Sequence, residues 1–296
     1  MATMLDAGTA YDRSIDTFQT ITDTRGVGSF TTTLAGNATS RIGVTIPEPF
    51  LGAGVPGTIL KLVPVEILRG RPPLEIYLTT RSEFTLGRSP EADLITIFFP
   101  RNEKNDLRSR RLSKIHARVD YRDDLFWVHR KAGASVHIGQ QAIGDDPGGY
   151  KLRERDQLIL AEDFALEIFF DISLRGTLQF NNAEAWRRGA LEFSSVALGA
   201  VRFEPLNSTP SLRTSCWLFV DVGFGSARGG VITAGSELAP QQGVILYLSG
   251  CFWILNLVNN EKVAINDYRP AANELVPLGR NDSIWFGAVR YRAEIA

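Results

Sequence analysis

Short apolar runs separated by turn residues dominate the chain from residue 58 onward. Gly, Pro, Asp or Asn stand between the runs, which are rich in β-branched and aromatic residues. Strands this short, with turns about every 8–12 residues, are typical of a β-sandwich. We therefore predict an all-β fold, with strands at 59–67, 74–78, 84–86, 94–98, 117–121, 126–128, 158–160 and 166–172.

The composition excludes several classes of protein. Cys216 and Cys251 are the two cysteines, too few for a disulfide framework or a cysteine metal site, and we expect reduced thiols in a cytoplasmic protein. No run approaches the roughly 18 apolar residues of a membrane helix, and no leader peptide is expected. The net charge of −1 gives no general attraction to nucleic acid.

Catalytic motifs are missing from the sequence. It contains three histidines, and it has neither a Gly-Lys-Thr/Ser phosphate loop nor a Gly-x-Ser-x-Gly elbow. His129 and His137 could meet on neighbouring strands, but isolated histidines on strands are common. We predict a non-enzymatic protein without cofactor or metal.

The second half of the chain repeats the first at an offset of 126 residues. A repeat at one fixed offset indicates two copies of one fold. We predict an irregular Thr/Ser/Gly-rich arm (1–57) with a strand near 41–46, a first sandwich (58–173), a linker (174–195) with a short helix at 183–188, and a second sandwich (196–296). The anchors of the repeat are Phe126/Phe252, Trp127/Trp253, Leu152/Leu278, Asp156/Asp282 and Leu158/Ile284.

Two stretches of the first copy combine groups that suit a phosphate dianion. Arg88 follows Gly87 at the end of an apolar run, and Ser113 and Lys114 come about two dozen residues later, three and two positions before His116. Arginine offers a planar fork of donors, lysine a point charge and serine a neutral donor. These stretches, within about 58–172, resemble the forkhead-associated (FHA) domain, a phosphothreonine-binding module.

The resemblance implies a role for each matching residue. Arg88 and Ser113 would bond the phosphate, with Lys114, Arg110 and Arg111 adding basic contacts. Gly87 and His116 would support the loops from beneath. Ser135 would take a position at which the family usually has threonine. The loop 131–137 lacks the asparagine with which the family grips the ligand backbone.

The second copy lacks these donors. At the offset of 126, Ser113 becomes Ala239, Lys114 becomes Pro240 and His116 becomes Gln242, and we align Phe224 with Arg88. We therefore predict a degenerate FHA-like sandwich that is structural or docks a partner without phosphate.

Five basic residues and two acidic ones occupy the connection 99–112. Three hypotheses stay open for it: a solvated mobile loop, a wider positive field that favours acidic ligands, or contact with nucleic acid. The last has no aromatic residues to support it. The basic residues are Arg101, Lys104, Arg108, Arg110 and Arg111.

Our functional hypothesis is an adaptor that binds a phosphothreonine segment through the first sandwich, with a Ser/Thr kinase upstream. The alternative is an assembly scaffold of two sandwiches that does not recognise phosphate. The arm is a candidate ligand, because Thr3, Thr9 and Thr20 each precede an aspartate by three residues. A third hypothesis is nucleic-acid binding through 101–114. We predict no membrane partner.

Overall fold

The computed structural model describes residues 42–65, 75–98, 101–123, 125–161, 163–174, 178–180, 198–206, 213–218, 221–226 and 237–296. The predicted helix at 183–188 and the arm at 1–41 lie outside these residues. Within them, no helix is long and apolar enough to cross a bilayer.

The described residues form short strands almost throughout. The first thirteen are β1 (Ile42–Val44), β2 (Ile59–Pro64), β3 (Glu75–Thr79), β4 (Glu83–Gly87), β5 (Leu94–Ile95), β6 (Ala117–Arg122), β7 (Leu125–Arg130), β8 (Val136–Ile138), β9 (Gln141–Ala142), β10 (Tyr150–Lys151), β11 (Gln157–Leu160), β12 (Phe164–Ile172) and β13 (Leu178–Phe180). The others are β14 (Leu198–Pro205), β15 (Arg213–Leu218), β16 (Asp221–Phe224), β17 (Gly243–Leu248), β18 (Cys251–Asn256), β19 (Val263–Ile265), β20 (Leu275–Pro277), β21 (Ser283–Phe286) and β22 (Val289–Ile295). A 3-10 helix spans Glu48–Phe50, and α1 spans Glu103–Arg110.

These strands pair into four sheets within the described part of the chain. The largest has eleven strands in the order β19-β21-β22-β2-β3-β15-β14-β12-β11-β8-β9. A five-stranded sheet has the order β10-β7-β6-β4-β5, a four-stranded sheet the order β16-β17-β18-β20, and β1 pairs with β13. The predicted all-β fold is confirmed.

Two apolar cores lie on the largest sheet. The first joins the five-stranded sheet to one half of it and contains Phe84, Phe126 and Phe203, all at most 2% exposed. The second joins the four-stranded sheet to the other half and includes Phe252 and Phe286. Each core therefore belongs to one β-sandwich, called here the first and the second sandwich.

The opening hairpin of each half of the chain lies in the other sandwich. Strand β2 pairs with the C-terminal strand β22, and the side chains of Leu60 and Leu62 lie in the second core. Strand β14 pairs with β12, and Val201 and Phe203 lie in the first core. The two exchanged hairpins, β2–β3 and β14–β15, meet in the middle of the large sheet through a parallel β3–β15 pair.

This exchange differs from the strand assignment predicted from the sequence. The predicted limits 58–173 and 196–296 place β2–β3 with the first sandwich and β14–β15 with the second. In the observed strand pairing, the strands of residues 83–218 build the first sandwich. The strands of residues 59–79 join those of residues 221–296 in the second. Leu60 and Leu62 of β2 alternate in the same way as Val201 and Phe203 of β14, so this pattern does not indicate to which core each strand belongs. Elsewhere the domain limits stay a prediction.

Residues 42–50 cover the outer face of the four-stranded sheet. Val44 and Ile46 pack there against Leu246, Trp253 and Leu255 in a third, smaller core. The strand predicted near 41–46 is therefore present, as β1. The rest of 1–57 was expected to be irregular, yet Ile46 also packs on this sheet. Because its two faces are both covered, every residue of β18 is buried.

The basic connection after β5 contains the helix α1, where we had expected only a loop. The side chain of Asn102 caps it by accepting from the backbone N–H of Asn105 at 2.9 Å. Its first turn has Glu103 and Asp106, and its last turn has Arg108 and Arg110, charges that complement the helix dipole. The hypothesis of a mobile loop is therefore wrong for 103–110.

Candidate functional site

A close approach of two backbones forms the base of the predicted site. A Cβ on Gly87 would lie 2.0 Å from the carbonyl oxygen of Lys114, so only glycine fits there. Just beyond it, the N–H of Arg88 donates to Ser113 O at 3.1 Å and the N–H of Ser89 to Lys114 O at 3.2 Å. The end of β4 is thereby fixed beside residues 113–114.

His116 connects two loops from inside the sandwich. The backbone N–H of Ser113 donates to its Nδ1 at 3.0 Å, and its Nε2 donates to Ser135 O at 2.9 Å. The ring is 1% exposed, and burial lowers its pKa, an effect partly offset by the bond to Ser135. A neutral ring matches this pattern, since Nδ1 must accept.

Arg88 is exposed, and its side chain follows the same loop. Its Nε donates to the carbonyl oxygen of Leu112 at 2.7 Å, which holds the guanidinium beside Ser113. Within the described residues, no carboxylate forms an ion pair with it. The terminal guanidinium nitrogens therefore remain available to an anion.

A shallow cleft of about 430 Å³ lies over these loops. It brings together three of the predicted site residues, Arg111, Ser113 and Ser135, with the supporting His116 at its base. Seven residues line it in all: Arg111, Ser113, His116, Gly133, Ala134, Ser135 and Ala161.

Three other predicted site residues do not line this cleft. Arg88 borders it through its bond to the carbonyl of Leu112, as described above. Lys114 and Arg110 are exposed, one on the loop and one at the end of α1. The predicted set therefore forms a cleft with a basic surround rather than one closed pocket.

The helix α1 is held firmly beside the cleft. Arg108 stacks on the ring of Phe98 at 3.8 Å and pairs with Asp163 at 2.8 Å. Ser109 is buried, accepting from the N–H of Phe98 and donating to Asn105 O. The helix then ends at Arg111, which lines the cleft.

The second sandwich keeps the loop framework and lacks the donors. Gln242 takes the place of His116, because its Oε1 accepts from the N–H of Ala239 at 3.1 Å and its own N–H donates to Phe224 O at 2.9 Å. A Cβ on Gly225 would lie 2.2 Å from Pro240 O, as one on Gly87 would from Lys114 O.

The position of Arg88 is taken by Ser226, so our alignment of Phe224 with Arg88 is wrong. The N–H of Ser226 donates to Ala239 O at 3.0 Å, whereas Phe224 is buried in the core at the position of Leu86. The guanidinium is still absent, and a serine replaces it.

Sequence reasoning missed the turn at Ala161 as a wall of the cleft. Its N–H donates to Ser135 O at 3.0 Å, a backbone contact that no motif indicates. Gly133, which also lines the cleft, has a φ of +77°. The sequence does indicate this conformation, because glycine in a polar loop readily adopts a positive φ. His129 and His137, considered as a pair, lie in different sheets.

Comparison with known proteins gives only partial structural similarity. No protein-family model matches the chain, and no curated protein matches it significantly. Mycobacterium tuberculosis EmbR, solved with a low-affinity phosphopeptide, shares 17% identity over 29% of this chain and 22% of its own, with a TM-score of 0.26.

Two further solved structures are FHA domains. The yeast Dun1 FHA domain, in complex with a doubly phosphorylated peptide derived from Rad53, shares 19% identity over 36% of this chain and 70% of its own, with a TM-score of 0.22. The FHA domain of TbPar42 shares 21% identity over 31% of this chain and 51% of its own, with a TM-score of 0.24. The chain thus spans about a fifth of the EmbR chain and about half of the TbPar42 chain.

Proposed function

We propose that the protein is a non-enzymatic adaptor that binds phosphothreonine-containing segments at the cleft of the first sandwich. The observation that carries this is the position of Arg88, held against Leu112 O with its terminal nitrogens free of carboxylates among the described residues. With Ser113 in the adjoining cleft, it can offer several donors to one small anion. A phosphothreonine carries nearly two negative charges and three acceptor oxygens near pH 7.

Each predicted residue has a part in this proposal. Arg88 and Ser113 bond the phosphate, and Lys114 and Arg110 add positive charge from the loop and from the end of α1. Arg111 and Ser135 contact the peptide from the walls of the cleft. His116 and Gly87 do not touch the ligand and keep the two loops in register. An upstream Ser/Thr kinase must then supply the ligand.

The decisive experiment titrates a phosphothreonine peptide library against the protein and against Arg88→Ala. Charge-assisted hydrogen bonds contribute about 1.5–3 kcal/mol each, so the variant should bind about 10- to 100-fold more weakly. Arg280→Ala, an exposed arginine of the second sandwich, is the matched control and should bind normally. Binding that survives both dephosphorylation of the peptide and loss of Arg88 would contradict the proposal.

The scaffold is the second candidate, and the second sandwich favours it. Ser226, Ala239, Pro240 and Gln242 leave that sandwich with no cation at the four matching positions, and the first sandwich has no asparagine in 131–137. Binding of a partner protein that ignores both phosphate and Arg88 would support this function instead.

The arm remains a candidate ligand in the adaptor proposal. Thr3, Thr9 and Thr20 with their following aspartates would bind the cleft of the same or a neighbouring molecule once phosphorylated. Mass spectrometry of the native protein that finds these threonines unmodified would end this idea. Nucleic-acid binding is less favoured, because Arg101 and Arg108 already pair with Asp106 and Asp163.

A further inference from the structure

The helix α1 lies in a connection that is longer in the first sandwich than in the second. Lys114 lies 27 positions after Gly87, whereas Pro240 lies 15 positions after Gly225, although both pairs of residues meet in the same way. The first sandwich therefore has 12 more residues in this connection, which contains the eight-residue α1. Because the second sandwich closes with the shorter connection, the longer one is available for a further role beside the proposed binding loops.

One face of α1 is docked and the opposite face is exposed. Asn105 and Ser109, four positions apart, are buried against the sandwich. Lys104, Leu107 and Arg110 recur at intervals of three residues on the other side, and all are exposed.

The exposed face combines charge with an unusual apolar group. Leu107 is 55% exposed, the most exposed of the large hydrophobic side chains in the described residues. Lys104 and Arg110 flank it, and neither makes an ion pair with any described residue, unlike Arg101 and Arg108 on the same segment. The exposed Glu103, four positions before Leu107, lies on the same side and is outnumbered by the two unpaired cations. This face therefore suits a ligand with carboxylates around an apolar side chain.

We infer that the exposed face of α1 binds an acidic segment, containing an apolar residue, that flanks the phosphothreonine in the same ligand chain. The helix ends at Arg111 in the wall of the cleft, so a peptide leaving the cleft on that side passes directly onto it. This inference rests on the proposed function and names the class of ligand for the same site. The phosphate would fix the position of the ligand in the cleft. The helix α1 would then select ligands by the residues beside the phosphothreonine.

The test uses a phosphothreonine peptide selected by the library, extended on either side by about ten residues. One version has Glu and Leu in the extension, and the other has Gly and Ser. The full-length protein should bind the acidic version about tenfold more tightly, and the difference should shrink as salt is raised.

Charge reversal at Lys104 alone (Lys104→Glu) should reduce this difference and leave the neutral version bound as before. Adding Arg110→Glu should remove the difference. Leu107→Ser should reduce the difference in part. The matched control reverses Lys151 and Arg280, two exposed cations outside the cleft, and should retain the full difference. Thermal unfolding of each variant checks that the protein remains folded.

Three outcomes would overturn the inference in distinguishable ways. Equal affinity for both extensions, with Arg88 still required, would remove the role of α1 and leave the proposed function standing. Failure of every phosphopeptide to bind would remove the proposed function as well. Binding of a DNA oligonucleotide that is lost on charge reversal, without any effect of the peptide extension, would assign this face to nucleic acid.

Discussion

Gln242 makes with Ala239 the contact that His116 makes with Ser113. In both cases a buried side chain three residues later in the chain accepts the backbone N–H, at 3.1 Å and 3.0 Å. The loop support therefore does not depend on the predicted phosphate donors, because the second sandwich makes this contact with Ser226, Ala239 and Pro240 in place of Arg88, Ser113 and Lys114. A glutamine at the position of His116 should likewise preserve the loops.

His116→Gln should make the protein less sensitive to acid. Burial lowers the pKa of His116 below 6.5, so the native ring stays neutral while the unfolded ring takes up a proton as the pH falls below that value. The free energy of unfolding then decreases by up to about 1.4 kcal/mol per pH unit until the native ring is protonated too. Denaturant titrations from pH 7.5 to 5 should show a flatter profile for the variant, with His137→Gln as control. An unchanged profile would mean that His116 does not cause the acid sensitivity.

Gly87→Ala should disrupt the site, whereas Gly144→Ala should not. The new methyl group at Gly87 would meet Lys114 O at 2.0 Å, and that backbone oxygen can move only by displacing the loop. We expect a loss of stability of about 3 kcal/mol and weaker phosphopeptide binding. At Gly144 nothing lies within 4 Å, so stability should be unchanged. Calorimetry measures both, and equal behaviour of the two variants would contradict the close approach.

A fragment of residues 81–218 should fold, and one of residues 58–173 should not. The longer fragment contains β14, which supplies the fully buried Val201 and Phe203 to the first core, with Phe203 edge-to-face on Phe84 at 5.6 Å. The shorter one lacks these side chains, each of which contributes about 1.5–3 kcal/mol on burial. Cooperative unfolding and dispersed amide resonances would identify the folded fragment. A well-folded 58–173 would show that the hairpin exchange is dispensable.

Val44→Asp should destabilise the second sandwich much more than Leu51→Asp. Val44 is 1% exposed against the outer face of the four-stranded sheet, whereas Leu51 is 46% exposed. A buried unpaired carboxylate should lower the free energy of unfolding by more than about 3 kcal/mol, and an exposed one by less than about 0.5 kcal/mol. Urea unfolding compares them, and similar values would mean that residues 42–50 do not stabilise this sheet.

The sequence predicts the strands well because they alternate, and it predicts pairing poorly because alternation is local. Leu60 and Leu62 point to one face of β2 in any sheet, so their pattern contains no information about whether β12 or β22 is the neighbour. The helix α1 has no apolar period. It docks through Asn105 and Ser109, which resemble loop residues in a sequence.

In the candidate site, too, some residues could be predicted from the sequence and others could not. Arg88, Ser113 and His116 were found from their spacing, and the hydrogen bonds between their loops agree with it. Phe224 was aligned with Arg88 at an offset of 136, two residues short, because the sequence pattern does not show where the 12 extra residues of the first copy are inserted. Before that insertion the true offset is 138, which leads to Ser226.

Through the exchange of opening hairpins, the second repeat contributes to the core of the first sandwich, although its own loops lack the predicted anion-binding groups. A shortened product that stops near residue 173 would have every predicted phosphate ligand yet lack the two strands that close the interior behind them. The interior of the first sandwich therefore depends on the beginning of the second repeat, whatever the loops of that repeat bind. Substitutions in those loops leave this interior unchanged, whereas a truncation between the two repeats removes Val201 and Phe203 from it.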